Sequence, residues 1–404
     1  MKRHLVILFS FLSLSVTNVM GDGVLFYEVM TCNISSLINT DTYNFSGYIE
    51  FKNTSASPIN LKSMVLTHYK KKGNGSYELK WEWVINKDFK VLASDSSYSL
   101  LWMDESDVVN HAPYKLDADG GYLTLRDGGV LVDSFAYNMA DAHISYGRYE
   151  NEVGYMQPSP GVANTFCVQN LSAKYRCESP IFSQVPGILA DSIALSITSP
   201  TVGATIYYTL DGSEPTDVNG IVYSQPIRIN KNSVVRARAY ASGMLQSKIF
   251  TGTYIFSDAK HADCGGFSVP IVSLSANDEF LNDDMIGMLI TGKNGTVGEK
   301  SCNLQRANYN QDWKRAVNFE YIVDGKQVLS QEVEAGVEGG CSRSNNIKSL
   351  SLKASKKTGK ETISYNVFHS KPDILHRTLH LRNGGQGFSG VRFKEGLMST
   401  FAIG

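Results

Sequence analysis

Short runs in which apolar and polar residues alternate one by one recur through this chain, and they constrain its fold more than any other feature. In the first third of the chain such runs occupy residues 47–53, 63–69, 122–127 and 130–137. A period of two residues is typical of a β-strand with one buried face, and the glycine-rich clusters at 72–75, 119–121 and 127–129 are typical of turns. We therefore predict a mainly β fold whose first unit is a β-sandwich of short antiparallel strands.

Two later runs with the same alternation predict a second, smaller β-sandwich. In the later of these runs Val235, Ala237 and Ala239 are expected to point inward, while Arg236 and Arg238 are expected to face water. An aspartate–glycine turn and a proline lie between the runs, as a hairpin connection requires. The sequence therefore favours stacked sandwiches over helical bundles.

The charge of the chain excludes two classes of partner. Its 404 residues include 38 basic and 39 acidic residues, which gives a formal net charge of −1. Binding to nucleic acid or to an anionic membrane surface needs an excess of basic residues, so neither is expected as a partner. The length predicts several domains rather than one.

The N-terminus has the order of a secretory signal peptide. Lys2 and Arg3 precede an apolar run at 5–16, and small or apolar residues lead to Gly21. We predict a signal peptide at 1–21, a mature chain that starts near Asp22, and a secreted or cell-surface location. The apolar run is too short to span a bilayer and no later run is long enough, so no transmembrane segment is expected.

The cysteines of an exported chain permit disulfides without defining them. They are Cys32, Cys167, Cys177, Cys264, Cys302 and Cys341, which can pair in many ways. A bond between Cys167 and Cys177 would close a short loop in the polar connector at 165–180, and buried free thiols are the alternative. No C-x-x-C pattern occurs, so the cysteine spacing indicates neither metal binding nor redox chemistry.

Recognisable catalytic patterns are absent from the sequence, the catalytic residues stay unknown, and no metal site is predicted. His111 and His143 show neither the spacing of metal ligands nor that of a catalytic triad. Asp104, Glu105 and Asp107 form a small acidic cluster whose oxygens suit calcium, but a solvated loop is the favoured interpretation.

The run at 348–353 places a lysine on the apolar face of a predicted strand. Alternation puts Lys348 on the same side as Leu350 and Leu352. A buried ammonium group is costly unless it is paired, so this placement indicates an anion at the end of the sheet, and Arg343 could help to neutralise it. The alternative is that Lys348 lies at the strand edge and extends its amine to water.

The segment 22–164 resembles a lamin tail domain. The matching pieces are GYIEFKN at 47–53, GGYLTL at 120–125 and the closing SPGVAN at 159–164. The resemblance implies an immunoglobulin-like fold used for attachment or spacing, with no catalytic residues to carry over.

The segment 181–256 resembles the C-terminal immunoglobulin-like domain of chitobiase and β-hexosaminidase relatives. The resemblance rests on YYTLDGSEPT and on the later VVRARAY. It implies an accessory module of exported, often glycan-associated proteins. Tyr207, Tyr240 and Tyr254 could form an aromatic platform for a saccharide, although lateral packing of these rings is the favoured interpretation.

The segment 267–404 resembles the N-terminal half of the CotH family of spore-coat-type atypical kinases. The matching pieces are WKR at 313–315, VNFE at 317–320, GGCSR at 339–343, KSL at 348–350 and LRN at 381–383. The resemblance implies a truncated α+β kinase-like lobe that binds nucleotide phosphates through Lys348 and Arg343, with ATP and a divalent metal as cofactors of the full-length domain. The acidic residues that hold metal and act as base in that family lie C-terminal to the matched region.

These features lead to one expectation and one alternative. Helical spacing at 391–401 without a stop signal predicts that the sequence is part of a longer protein, so this chain alone is expected to be inactive. The leading hypothesis is an exported multidomain surface protein whose sandwiches position a CotH-like kinase domain acting on secreted protein. The alternative is a non-catalytic adhesion protein that binds surface glycan.

Overall fold

The computed structural model describes residues 23–91, 98–256, 270–368 and 375–383. The predicted signal peptide and the helical spacing at 391–401 lie outside these residues. Strands account for 45% of the structure and helices for 4%, which confirms the prediction of a mainly β fold. The strands form three modules in chain order, which we call the first module (23–164), the second module (181–256) and the third module (270–383).

The first module is a sandwich of two sheets. Its strands are β1 Val24–Met30, β2 Ile38–Asn39, β3 Asn44–Phe45, β4 Gly47–Asn53, β5 Ile59–Asn60, β6 Val65–Lys71, β7 Tyr77–Val84, β8 Lys90–Val91, β9 Tyr98–Met103, β10 His111–Ala112, β11 Gly120–Asp127, β12 Val130–Asn138, β13 Ser145–Tyr149 and β14 Glu152–Met156. One sheet has the order β10-β9-β4-β1-β13-β14 and the other the order β12-β11-β6-β7. Except for the parallel β9–β10 pair, neighbouring strands in both sheets run antiparallel.

Alternation explains how these two sheets pack. Phe26 and Phe51 from the first sheet are fully buried against Leu66 and Leu123 from the second, within one apolar cluster. In the β11–β12 hairpin Gly128 and Gly129 take positive φ angles of 53° and 86°, which a residue with a Cβ rarely adopts. The glycine pair thus sets the register that brings the apolar faces of β11 and β12 together.

The second module is smaller. Its strands are β15 Ile181–Phe182, β16 Gly187–Leu189, β17 Ile193–Leu195, β18 Ile197–Thr198, β19 Thr205–Thr209, β20 Ile221–Val222, β21 Ile227–Ile229, β22 Ser233–Tyr240 and β23 Phe250–Phe256. Leu195, Ile229, Val235 and Ala237 lie in its apolar cluster, so the inward face of β22 is the one that the alternation predicts.

The third module contains long antiparallel strands. Its elements are β24 Ile271–Ser275, the helix α1 Asp278–Asn282, β25 Thr296–Val297, β26 Arg306–Ala307, a 3-10 turn Asn308–Asn310, β27 Arg315–Val323, β28 Lys326–Glu338, a 3-10 turn Cys341–Ser344, β29 Ser349–Lys353, a 3-10 turn Lys356–Thr358 and β30 Thr378–Leu381. Within the described residues α1, five residues long, is the only α-helix of this module.

One sheet of ten strands passes from the second module into the third. Its order is β20-β19-β22-β23-β16-β28-β27-β24, and β29 and β30 extend it from β28. The two modules join where Gly187 pairs with Lys326, and the Ile188 amide donates to the Gly325 carbonyl at 2.9 Å. Gly187 has a φ of 142°, and a Cβ there would lie 2.1 Å from that same carbonyl oxygen, so only glycine permits this approach.

The connector at 165–180 packs against the modules on both sides of it. Val168 bridges to Tyr155 of the first module, and Arg176 bridges to Leu245 of the second. Val168 and Leu245 share an apolar cluster with Ala140 and Ile144. The segment therefore joins the two modules through buried side chains.

The proposed bond between Cys167 and Cys177 is wrong. Both are free thiols, as is the buried Cys32, and the disulfide joins Cys302 to Cys341. The Cys167 thiol lies 3.9 Å from the Glu152 carboxylate on the first module, whereas the main chain of Cys177 is bound to Leu245 of the second. Each thiol is therefore held on a different module. Cys264 lies outside the described residues.

Candidate functional site

The two residues predicted to contact phosphate both contact Tyr309. The Lys348 amine sits 4.0 Å from the centre of the Tyr309 ring and donates to the Asn345 carbonyl at 2.7 Å. The Arg343 guanidinium donates to the Tyr309 carbonyl at 2.8 Å and to the Gly339 carbonyl at 2.8 Å. The structure therefore brings Lys348 and Arg343 to one place, in contact with the same residue.

Local structure explains this convergence. Arg343 lies in the 3-10 turn Cys341–Ser344, whose first residue is tied by the disulfide to Cys302. Lys348 immediately precedes β29, and Tyr309 belongs to the 3-10 turn Asn308–Asn310. The disulfide therefore holds the Arg343 turn against the segment that carries Tyr309.

The charges of Lys348 and Arg343 are not neutralised by a carboxylate within the described part of the chain, where their polar partners are carbonyl oxygens. Lys348 is half-buried, and this burial lowers the pKa of its amine. Cations without an acidic partner fit the phosphates of a nucleotide, which accept hydrogen bonds from such donors.

The largest departure from the sequence prediction is at β22, where Arg236 and Arg238 do not face water. Each is 3% exposed. Arg236 lines a cavity together with Asn318, Ser330 and Glu332 of the third module, which covers this part of the face that the alternation assigned to solvent. Arg236 donates to the Gly212 carbonyl at 3.0 Å and to the Thr251 hydroxyl at 3.3 Å. Arg238 donates to the Gln246 side chain at 3.4 Å.

The side chain of Glu320, in β27 of the third module, contacts the second module. It is fully buried and accepts hydrogen bonds from the Thr253 amide at 2.9 Å and the Thr253 hydroxyl at 2.5 Å, and also from Gln327. Burial raises the pKa of Glu320, against the opposing effect of these hydrogen bonds. The contact between the second and third modules is thus lined by hydrogen-bonded charged groups rather than by apolar side chains.

One side chain from each module meets at this contact. His143 Nε2 lies 3.2 Å from Glu332 Oε1, and His143 Nδ1 lies 3.6 Å from Glu214 Oε2. The side chains of His143 and Glu214 are 11% and 12% exposed. One nitrogen of His143 and one oxygen from each glutamate lie within 4.8 Å of one another.

Positive neighbours control the ionisation of Glu214. Burial alone would raise its pKa, but the charges of His143, Arg238 and Arg236 hold the pKa of this carboxyl below its usual value. Glu214 is therefore a carboxylate at neutral pH. We call His143, Glu214 and Glu332 the junction cluster.

A cavity of about 200 Å³ adjoins the junction cluster. His143 and Glu332 line it together with residues from all three modules. The other lining residues include Asp141, Arg176, Arg236, Lys248, Gln331 and Lys360. Arg176 and Lys248 both pair with Asp141, at 2.6 Å and 3.0 Å. The cavity thus has polar walls with charges of both signs.

The first module meets the third through Arg315, which is fully buried. Its guanidinium donates to the Tyr43 carbonyl at 2.7 Å and to the Ile286 carbonyl at 2.8 Å, and it stacks 4.7 Å from the Trp313 ring centre. The Trp313 indole donates to the Thr42 carbonyl at 2.9 Å. Burial lowers the pKa of Arg315 to about 9, which leaves the group charged at neutral pH.

Two weaker sequence hypotheses can be placed on the structure. Tyr254 is fully buried and donates to the Gln184 carbonyl, so a platform of Tyr207, Tyr240 and Tyr254 is wrong. In the acidic cluster Asp104 contacts His111, Glu105 pairs with Lys115, and Asp107 pairs with Lys87. The cluster is thus composed of paired side chains on a loop.

The junction cluster was missed from the sequence because its three residues are far apart in the chain. No local spacing connects His143, Glu214 and Glu332, and each module contributes one. Glu332 lies in β28, and the alternation along this strand predicts which face of the sheet carries its side chain. It does not predict which residues the side chain contacts. Its partners follow from how the modules dock, which alternation does not encode.

The comparisons with known proteins cover a part of the second module. Residues 195–254 match the family model described as Fn3 associated. No curated protein matches the chain. A β-sandwich-associated domain agrees with the strands β17–β23 that this segment forms. Among the described residues, no helix is both long enough and apolar enough to cross a membrane.

Proposed function

We propose that this chain is an exported surface protein in which two sandwich modules hold a CotH-like nucleotide-binding lobe, with Lys348 and Arg343 in contact with phosphate. The observation that carries the proposal is the convergence of these two cations on Tyr309 without a carboxylate partner in the described residues. A phosphate needs positive donors whose charge is not already neutralised, and a lysine beside an arginine offers both a point charge and a planar fork.

The two residues retain hydrogen-bonding capacity for such a ligand. The Lys348 ammonium has three donors, and one of them is used by the Asn345 carbonyl. Arg343 uses Nε and Nη1 on carbonyl oxygens, while its Nη2 makes no hydrogen bond to a described residue. ATP with a divalent metal would supply the transferable phosphoryl group, and these side chains would hold and orient its phosphates.

The first two modules serve in this proposal as a rigid support. The lamin-tail-like and chitobiase-type resemblances fit attachment modules, and the Fn3-associated match fits a surface-type module. Buried charged contacts at Arg315 and Glu320 oppose bending between the modules, because bending would expose or unpair these groups. The third module would therefore be presented at a fixed orientation to a secreted protein substrate.

Binding of a fluorescent ATP analogue with Mg²⁺ tests the proposal. We expect Lys348→Ala and Arg343→Ala each to weaken binding about tenfold or more, because each removes a charge-assisted phosphate contact of about 1.5–3 kcal/mol. Lys353→Ala is the matched control, since Lys353 is an exposed lysine at the other end of the same strand. Equal binding by Lys348→Ala and the parent chain would refute the phosphate contact.

The alternative is a non-catalytic adhesion protein that binds glycan, and one observation supports it. Tyr207 and Tyr240 remain partly exposed, with ring centres 5.4 Å apart in an edge-on arrangement. A glycan array probed with the chain and with Tyr207→Ala separates the two functions. Sugar binding that is lost in this variant, together with no nucleotide binding, would replace the kinase proposal.

A further inference from the structure

The junction cluster has a donor set that proteins use for transition metals. His143 offers an imidazole nitrogen, and Glu214 and Glu332 offer carboxylate oxygens. Imidazole and carboxylate together suit zinc and similar divalent ions. Because the three residues come from three modules, an ion bound here would connect all of them.

One separation is close to that between two ligands of one ion, and the third residue lies nearby. Bonds of about 2.0–2.2 Å to a tetrahedral zinc place its ligand atoms roughly 3.3–3.6 Å from one another. His143 Nε2 lies 3.2 Å from Glu332 Oε1, whereas Glu214 Oε2 lies 3.6 Å from the other ring nitrogen, Nδ1. One nitrogen of His143 and one oxygen from each glutamate nevertheless lie within 4.8 Å of one another, so a shift of the Glu214 carboxylate toward Nε2 would complete a set of three ligands.

His111 provides an internal comparison. It too is buried between two carboxylates, with Nδ1 2.9 Å from Asp104 and Nε2 3.1 Å from Asp41. Within the described residues, however, the junction cluster is the group of three whose ligand atoms all converge within 4.8 Å. The carboxylates around His111 thus act as separate hydrogen-bond partners, whereas those around His143 share one space.

The surroundings supply the remaining requirements of a metal site. Ser35 Oγ lies 3.2 Å from His143 Nδ1, where it can accept a hydrogen bond from Nδ1–H and so leave Nε2 free as a ligand. His143 and Glu332 border the cavity of about 200 Å³, which has room for water as a further ligand. Arg236 and Arg238 act on Glu214 with opposite charge, so an ion must compete with them for this carboxylate.

We propose that His143, Glu214 and Glu332 form a binding site for a divalent transition-metal ion, with zinc as the ion to test. His143 binds through Nε2, Ser35 fixes its tautomer through Nδ1, and the cavity holds the water that completes the coordination. The ion fastens the three modules to one another. The site is independent of the nucleotide contact at Lys348 and Arg343.

Calorimetric titration of the full chain with zinc, after removal of metal by a chelator, tests this site. We expect one zinc per chain, and we expect His143→Gln and Glu332→Gln each to reduce the affinity about 10- to 100-fold or more. His380→Gln is the control, because His380 pairs with Glu338 on the exposed side of the third module. Unchanged affinity in His143→Gln, or no stoichiometric binding by the parent chain, would overturn the proposal.

A second measurement uses the parent chain, so its result does not depend on whether a variant folds. Cobalt in place of zinc should give the absorption of a site with nitrogen and oxygen ligands, since cobalt reports the ligand type. Sulfur-to-cobalt charge-transfer bands would assign the ion to the free thiols of Cys32, Cys167 or Cys177 and would overturn the site. Zinc should also raise the temperature of thermal unfolding, because it binds the native chain alone.

Discussion

The interior of the first module and the junction cluster both bury carboxyl groups, but they shift the pKa values of these groups in opposite directions. In the interior Glu28 and Glu50 are paired across β1 and β4, and both are fully buried. Burial raises the pKa of Glu28, and burial raises the pKa of Glu50 to about 8, with Glu28 adding to the effect. Between the modules, the charges of His143, Arg238 and Arg236 overcome burial and lower the pKa of Glu214.

This difference shows that the sign of neighbouring charges, rather than burial alone, decides how a buried acid behaves. The partners of Glu28 and Glu50 are neutral donors: the Tyr48 hydroxyl at 2.6 Å from Glu28 and the Gly161 amide at 2.6 Å from Glu50. The junction cluster instead places Glu214 beside His143, Arg238 and Arg236. The junction cluster therefore depends on specific charged pairs, whereas the buried acids of the interior are hydrogen-bonded to neutral groups.

The largest expected effect comes from removing the charge at the contact between the first and third modules. We expect Arg315→Ala to lower the free energy of unfolding by about 3–5 kcal/mol, because the carbonyls of Tyr43 and Ile286 would remain buried without donors. Urea unfolding followed by tryptophan fluorescence measures it, since Trp313 stacks on the guanidinium.

Arg377→Ala is the matched control for this substitution. The Arg377 side chain is 68% exposed and pairs with Glu361 at 2.6 Å, so its loss should cost less than about 1 kcal/mol. If the two variants lost similar stability, the contact at Arg315 would contribute no more than a surface pair.

A smaller loss is expected where the second and third modules join. Glu320→Ala leaves the buried Thr253 amide without its acceptor, and the Thr253 hydroxyl keeps Ser273 as a partner, so the loss should be about 2–3 kcal/mol. Chemical unfolding measures this loss, with Glu78→Ala as a control, because Glu78 is exposed and pairs with Lys72. Hydrogen exchange should increase first in β23 and β27. An increase confined to the first module would contradict the assignment of Glu320 to this contact.

The interior acids predict a pH dependence of the first module. The folded pKa of Glu50 is about 8, above the usual value of 4.5, so its contribution is fully present below pH 4.5 and is lost as pH rises to about 8. The free energy of unfolding should fall by about 1.4 kcal/mol for each pH unit in this window. Chemical unfolding at several pH values measures the slope, and Glu50→Gln should flatten it.

Glu214→Gln gives the opposite comparison. Because the folded pKa of Glu214 is lowered, its contribution is present above pH 4.5 and is lost as pH falls through the folded pKa. The variant should therefore change how the free energy of unfolding depends on pH below about pH 4.5. Between pH 5 and 8 that dependence should stay as in the parent chain. If Glu50→Gln and Glu214→Gln altered the free energy of unfolding in the same pH range, the two carboxyl groups would not have oppositely shifted pKa values.

The interior was largely predictable from the sequence, and particular residues show why. Alternation at 47–53 correctly predicts a strand, and Val235, Ala237 and Ala239 are buried as the pattern indicates. A strand has two faces, and the pattern predicts which face is apolar. It does not predict what covers the other face, so Arg236 and Arg238 were wrongly assigned to water.

The two candidate sites also differ in how much of each the sequence could predict. Lys348 and Arg343 are close in the chain, and the structure places both on Tyr309, while their contact with phosphate stays a prediction. His143 and Glu332 are 3.2 Å apart in space and far apart in sequence, so no spacing rule finds them. Docking of modules depends on shape and charge over whole surfaces, which a single strand pattern does not contain.

The smallest expected effect concerns an exposed ion pair that also connects the first and third modules. The Lys356 amine lies 2.7 Å from the Asp119 carboxylate, yet the Lys356 side chain is 42% exposed. Water and salt screen such a pair, so Lys356→Ala should destabilise the chain less than Arg315→Ala or Glu320→Ala, and the loss should shrink further at high salt.

Comparing Lys356→Ala with Lys231→Ala, an exposed lysine of the second module, in low and high salt isolates the effect of the pair. A loss comparable to that of Arg315→Ala would mean that exposed charges hold the modules together, and burial would then not distinguish strong contacts from weak ones. A small, salt-sensitive loss would instead support the view that the buried groups carry the connection. The same charge, placed at the rim or inside the contact, would then differ in effect because water reaches only the first.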